Sequence, residues 1–260
     1  MEQWNAIRTL VQTLQGDTAV RSIFLKGSLA RGDGDEYSDV DVYCLVHDHE
    51  LESFLDRRLD HLRHYRDLLF WSEANFVGPQ IVAVYSNGLH LDLYTVTAST
   101  LHTTDAVKIL YDPEGLLAGY KGSSFTLSKE NILKAFDSLT FSLLEFESTF
   151  RRGNLVWASR LASHISGELV LLVRHVYDPS NGQLGFKKIN QTIPEAVYQA
   201  LSDGLDGIGP ANLPDGLCAL LDLVEETISK LPDDITSAMN MRFYSFMAER
   251  IRVLERSKIH

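Results

Sequence analysis

Lys26-Gly27-Ser28-Leu29-Ala30-Arg31-Gly32-Asp33-Gly34-Asp35-Glu36-Tyr37-Ser38-Asp39-Val40-Asp41-Val42 is the stretch of this 260-residue chain in which residue type and spacing bear most on chemistry. A Gly-Ser pair closing an apolar run lets backbone N–H groups approach an anion, and a helical turn expected after it aims more amides at the same point. The Ser28 hydroxyl adds a donor. Asp39 and Asp41, two residues apart at the start of a strand, project from one face. Two adjacent carboxylates repel each other unless a cation lies between them, and their hard oxygens suit Mg²⁺. Asp92, within Leu91-Asp92-Leu93, offers a third carboxylate, since a charge on an apolar strand is rarely buried unpaired. Three acids from two neighbouring strands could hold two Mg²⁺ ions about 3.5–4 Å apart, as in-line phosphoryl displacement requires. At average residue frequencies Gly-Ser followed at this spacing by Asp-x-Asp arises in roughly one chain in a hundred of this length. The combination therefore carries the signal, whereas either half alone reads as an ordinary turn or strand edge.

Such residues need a sheet to hold them, and the flanking sequence predicts one. Trp4, Ile7, Leu10, Val11 and Leu14 recur at helical spacing, Val20 to Leu25 and Val40 to Val46 read as strands, and Glu50 to Arg63 as a helix. Gln80 to Tyr85, Asn87-Gly88 and Leu89 to Val96 form a hairpin signal, with Asn-Gly suited to a type I′ turn. Val107 to Tyr111 fits an edge strand, and Trp71 to Pro79 reads as a loop. From Ser128 the period becomes helical. Ser128, Asn131 and Thr126 offer N-cap chemistry before a helix to about Phe150, Leu155 to Tyr177 gives a second helix stopped by Asp178-Pro179, and Ile193 to Leu201 a third. Gly204 to Gly216 reads as a loop, followed by helices over Leu217 to Leu231 and Ile235 to Lys258. The predicted fold class is α+β: a mixed-sheet domain with helices over residues 1–120, then an all-α bundle over 121–260, divided near the three-glycine segment Pro113 to Phe125.

Composition narrows the function classes. Apolar residues make up 45% and charged residues 23%, which excludes collagen-like, low-complexity and disordered readings. The net charge of −11 argues against a surface that tracks nucleic-acid phosphates, and no run of 18 apolar residues suggests a membrane span. The acidity is uneven: residues 1–120 carry 9 Lys and Arg against 18 Asp and Glu, which suits divalent cations and cationic substrates. The opening Met1-Glu2-Gln3-Trp4-Asn5 lacks a basic n-region and an apolar h-region, and Cys44 and Cys218 cannot build a disulfide framework. Both features point to a cytoplasmic protein.

Gly27-Ser28, ten residues, then Asp39-x-Asp41 resembles the signature of the DNA polymerase beta-like nucleotidyltransferase superfamily. The longer string from Gly27 to Asp39 looks like its antibiotic-modifying branch, most of all the lincosamide nucleotidyltransferases. Tyr111-Asp112-Pro113-Glu114-Gly115 and a helical domain opening near Lys129-Glu130-Asn131 are similar in order and spacing. Lincosamide enzymes often carry Glu where this chain has Asp41, a change that keeps the metal chemistry. The resemblance implies that Gly27 and Ser28 hold the nucleotide triphosphate; Arg31, three residues beyond Ser28, is a candidate to reach a phosphate or to form a surface salt bridge, and Ser38 is a further nucleotide-binding candidate. It implies that Asp39, Asp41 and Asp92 bind two Mg²⁺ ions and carry catalysis. The implied reaction moves AMP from MgATP to a small-molecule hydroxyl, with pyrophosphate leaving. The acceptor base is left between Asp92, Glu145 and Glu147, and Lys187-Lys188 is a candidate to cover the triphosphate. His90 shares the strand face of Asp92. The alternative is a regulatory module of the minimal-nucleotidyltransferase type acting on a protein partner; a helical half of this length in the same chain disfavours it. A polymerase or tailing enzyme is disfavoured by the charge. The expected partners are a nucleoside triphosphate and a small hydroxyl acceptor, with no nucleic acid and no membrane; a homodimer is left open.

Overall fold

Strand alternation sets which side chains lie under helices and which face the other way. The computed structural model describes residues 2–75 and 78–256 and divides into two units, Met1–Ser123 and Ser124–His260. The first unit holds α1 (Glu2–Gln15), β1 (Val20–Leu25), a short α2 (Gly27–Arg31), β2 (Val40–Val46), α3 (Leu51–Leu62), β3 (Leu68–Ala74), β4 (Gln80–Tyr85), β5 (His90–Val96) and β6 (Lys108–Tyr111). The strands form one mixed sheet in the order β3-β4-β5-β2-β1-β6, with β2 and β5 parallel and the other neighbours antiparallel. Val40, Val42, Cys44 and Val46 of β2, with Leu91 and Leu93 of β5, pack with Ile7, Leu10 and Leu14 of α1 and Phe54 and Leu62 of α3. The intervening Tyr43 and Leu45 join Phe24, Val96 and Leu117 in a second cluster. Asp41 and Asp92 belong to that second face.

The β4–β5 hairpin departs from the expected type I′ turn. Only Gly88 has positive φ (80°), and Asn87 does not. Gly88 N–H donates to Tyr85 O at 2.8 Å and Tyr85 N–H to Leu89 O at 3.0 Å. This is a three-residue loop, a turn over 85–88 with Ser86 and Asn87 central and glycine in the left-handed position that closes it. β3 is a further correction, because the expected loop from Trp71 begins as strand up to Ala74; Phe76 and Val77 of that loop lie outside the described residues. Leu69, Phe70 and Trp71 are all exposed on this edge strand, so no alternation marked it.

The second unit contains α4 (Lys129–Arg151), α5 (Leu155–Tyr177), α6 (Glu195–Asp206), α7 (Asp215–Ile228), α8 (Asp233–Thr236) and α9 (Met241–Arg256). Ser128 and Asn131 form the expected capping box, each side chain accepting from the other's backbone N–H at 3.2 Å. α4 and α5 pack along each other, and their Phe136, Leu143, Phe146, Ile165 and Leu169 merge with Leu220, Val224, Met247 and Ile251 in one core. The expected Gly204–Gly216 loop is shorter: α6 continues through Gly204, which packs on Leu220, and α7 starts at Asp215. The expected helix from Ile235 is two helices, interrupted at 237–240, and its last residues, 257 and 258, lie outside the described ones. Among the described residues no helix is long and apolar enough to cross a membrane.

Candidate functional site

β2 and β5 run parallel with Asp41 opposite Asp92, so register alone brings two carboxylates together on one sheet face. Asp39, just before β2, completes the group: one oxygen from each of Asp39, Asp41 and Asp92 lies within 4.8 Å of the others. Asp92 is buried and the other two are half-buried. His90, two residues before Asp92 on the same strand, places Nε2 3.1 Å from Asp92 Oδ1 and Nδ1 3.9 Å from Asp39 Oδ2. Three hard carboxylate donors converging at a half-open position fit a divalent cation of the Mg²⁺ type.

β1 leads directly into the other half of the site. Lys26 N–H donates to Asp41 O at 3.1 Å, which ties the strand end to the acidic strand. Gly27 then turns at φ 69°, and a Cβ there would fall 2.2 Å from Asp41 Oδ2. Only glycine lets the carboxylate lie against this turn. Ser28 is half-buried in α2. Arg31 places Nη1 2.8 Å from Asp105 Oδ2 and Nε 3.4 Å from Asp33 Oδ1, so its guanidinium is held at this turn rather than on open surface. The Ser38 hydroxyl is engaged with Asp35: it accepts from Asp35 N–H at 2.9 Å and lies 3.0 Å from Asp35 Oδ1. That hydroxyl fixes the 35–38 turn, and Gln3 Nε2 donates to Ser38 O from α1.

Beneath the carboxylates lies an aromatic stack. Tyr94 and Tyr43 have ring centroids 4.3 Å apart and planes within 9°, and Phe24 continues the stack at 5.3 Å. Burial, with Asp41, Asp92 and Asp39 nearby, pushes the Tyr94 hydroxyl well above the ordinary tyrosine range. Lys26, buried, lies over the Tyr43 and Tyr120 rings and donates from Nζ to His102 O at 2.7 Å. Burial pulls its ammonium below the ordinary lysine range, opposed by Asp105. Asp105 was not signalled by spacing, because it reaches the turn from 78 residues away.

Of the candidate bases on α4, Glu147 is taken up structurally. It is buried and accepts from Arg250 Nε at 2.6 Å and Arg151 Nε at 2.7 Å. Burial acts to raise its carboxyl, but hydrogen bonds from the two arginines hold it below the ordinary glutamate range. Glu145 is exposed, Lys187 is exposed and Lys188 is half-buried.

A family model of the nucleotidyltransferase domain matches residues 5–110, which contain all three carboxylates and the Gly27 turn. No curated protein sequence matches the chain. Among solved structures, an aminoglycoside 6-adenyltransferase from Bacillus subtilis is 12% identical, with 95% of this chain and 98% of that one covered and a TM-score of 0.37. A spectinomycin adenyltransferase from Enterococcus faecialis, solved with ATP and spectinomycin, is 10% identical, with 96% and 98% covered and a TM-score of 0.32. At those TM-scores neither likeness bears on substrate. The family match coincides with the residues that build the acidic site, so residues 5–110 form a nucleotidyltransferase domain.

Proposed function

We propose that the protein transfers AMP from MgATP to a hydroxyl of a small molecule, with lincosamide- or aminoglycoside-like antibiotics as the acceptor class, and releases pyrophosphate. The observation that carries this reading is the convergence of Asp39, Asp41 and Asp92 within 4.8 Å beside the Gly27 turn. The acceptor class rests on the resemblance of residues 26–41 and on the acidity of the first 120 residues, which favours a cationic substrate.

In this reading Asp39, Asp41 and Asp92 hold Mg²⁺, as two ions, which when bound neutralises triphosphate charge near the α-phosphorus. Gly27 N–H, the Ser28 hydroxyl and Arg31 hold phosphate oxygens. Their task is to fix the α-phosphorus in line with the acceptor. The acceptor oxygen forms the new P–O bond as the bond to the β-phosphate oxygen breaks and pyrophosphate leaves with that electron pair. The acceptor proton passes to Asp92, and His90, 3.1 Å from its Oδ1, steadies that carboxyl. The two arginines that engage Glu147 favour Asp92 over it as the base.

The test is mass spectrometry of the full chain with MgATP and a pooled panel of lincosamides, aminoglycosides and streptomycin-like compounds. The expected result is one acceptor heavier by an adenylyl group, with the product lost in Asp39→Ala. No small-molecule product, together with adenylyl label on a stoichiometric protein partner, would move the function to the regulatory alternative.

A further inference from the structure

The Gly27 turn already carries an oxyanion from its own chain. Asp105 Oδ2 accepts from Gly27 N–H at 3.2 Å and lies 2.8 Å from Arg31 Nη1, with its side chain only 12% exposed. We propose that Asp105 competes with the nucleotide for the Gly27 amide and the Arg31 guanidinium, and thereby sets the affinity of the site for ATP. This rests on the reading of Gly27, Ser28 and Arg31 as phosphate-holding groups. A carboxylate oxygen and a phosphate oxygen cannot both occupy the same pair of donors at hydrogen-bond distance. At that separation like charges also repel strongly. The nucleotide therefore binds when Asp105 has left.

The contact is held in place by the surrounding chain. Asp105 has φ 69°, a left-handed conformation that a non-glycine residue keeps only when its neighbours enforce it. Its Oδ1 accepts from Ala106 N–H at 2.7 Å. Lys26 Nζ donates to His102 O at 2.7 Å, and the Tyr120 hydroxyl donates to Thr104 O at 2.8 Å. Thr104 also bridges Ser123. Residues 102–105 are thus tied to Lys26 at the end of β1 and to Tyr120 and Ser123 beyond the sheet, with Asp105 accepting from the Gly27 turn. Apparent ATP affinity is then the intrinsic affinity reduced by the fraction of molecules in which Asp105 is displaced. A contrary role, in which Asp105 aligns Arg31 for phosphate, requires the opposite sign on its removal.

The experiment compares the full-length wild type, Asp105→Asn and Asp105→Gly in equilibrium binding of the α,β-methylene analogue of ATP with Mg²⁺. Asparagine tolerates the left-handed backbone and removes the charge, and glycine also relieves the strain. The expected result is tighter binding by about tenfold in both variants, with the fall in KM for ATP exceeding any change in kcat. Equal or weaker binding in both variants, with the wild type binding normally, overturns the proposal and leaves the nucleotide reading intact. Binding by none of the three overturns the nucleotide reading and the proposal with it.

Discussion

Buried charge is handled differently in the two units. In the helical unit Glu147 lies between Arg151 and Arg250, and Arg174, fully buried at the end of α5, reaches Asp178, the Thr192 hydroxyl and the Gly185 and Lys187 carbonyls. Among the described residues the buried carboxylates and guanidinium there meet opposite charges, as burial of a charge requires. In the sheet unit three carboxylates converge within 4.8 Å with one histidine beside them. Like charges gathered on a rigid sheet raise the energy of the empty site, and a cation lowers it. The difference teaches where to look for function: in the unit whose own side chains leave charge of one sign concentrated.

The comparison is broken most directly at Asp41. Asp41→Asn is expected to lower adenylyl transfer by about 10³-fold, or about 4 kcal/mol of transition-state stabilisation, while thermal stability without metal stays level or rises. A variant that loses stability while keeping turnover would place Asp41 in the framework instead. Arg174→Ala tests the other side. It strands Asp178 in a buried position and should cost the helical unit about 3–5 kcal/mol in urea unfolding. A loss below about 1 kcal/mol would show that this charge is not structural.

Gly27→Ala sharpens the contrast within the sheet unit. A Cβ at φ 69° and 2.2 Å from Asp41 Oδ2 must push the carboxylate away. About 2 kcal/mol of stability and most of the Mg²⁺-dependent nucleotide binding should be lost together. If binding survives at full strength, the turn and the acid are not one unit. The smallest effect is at Asp17, a neutralised charge in the sheet unit away from the acids. Hydrogen bonds from Arg57 hold its carboxyl down to about 2 from 3.8 against the opposing effect of burial. Because the folded value is the lower one, its stabilisation is complete above pH about 4 and fades as pH falls towards 2. Stability measured across that window should fall by about 1–2 kcal/mol more in the wild type than in Asp17→Asn, allowing for the half-exposed Arg57. Parallel curves would mean that the pair contributes nothing.

What could be read from sequence was whatever local chemistry determines. The strand pair 20–25 and 40–46, the Ser128 cap and the α5 span follow from alternation, capping and helical period, and the structure has them at those residues. Asp39, Asp41 and Asp92 were legible as a group because two carry their spacing across the start of one strand and the third sits in a strand between leucines. β3 was not, since Leu68-Leu69-Phe70-Trp71 is apolar without alternation and lies exposed at a sheet edge. Glu147 looked like any helix carboxylate, because its partner Arg250 is 103 residues away. Asp105 escaped for the same reason: tertiary packing, and no local pattern, brings it to the Gly27 turn from 78 residues away.

The central claim is that the three carboxylates bind the cation that accompanies the nucleotide. Electron paramagnetic resonance of Mn²⁺ titrated into the wild type and an Asp39→Asn, Asp41→Asn, Asp92→Asn triple variant, each with the α,β-methylene analogue of ATP, tests it directly. The expected result is protein-bound Mn²⁺ in the wild type, with only the free and nucleotide-bound signals in the triple variant. Equal protein-bound Mn²⁺ in both would contradict the claim.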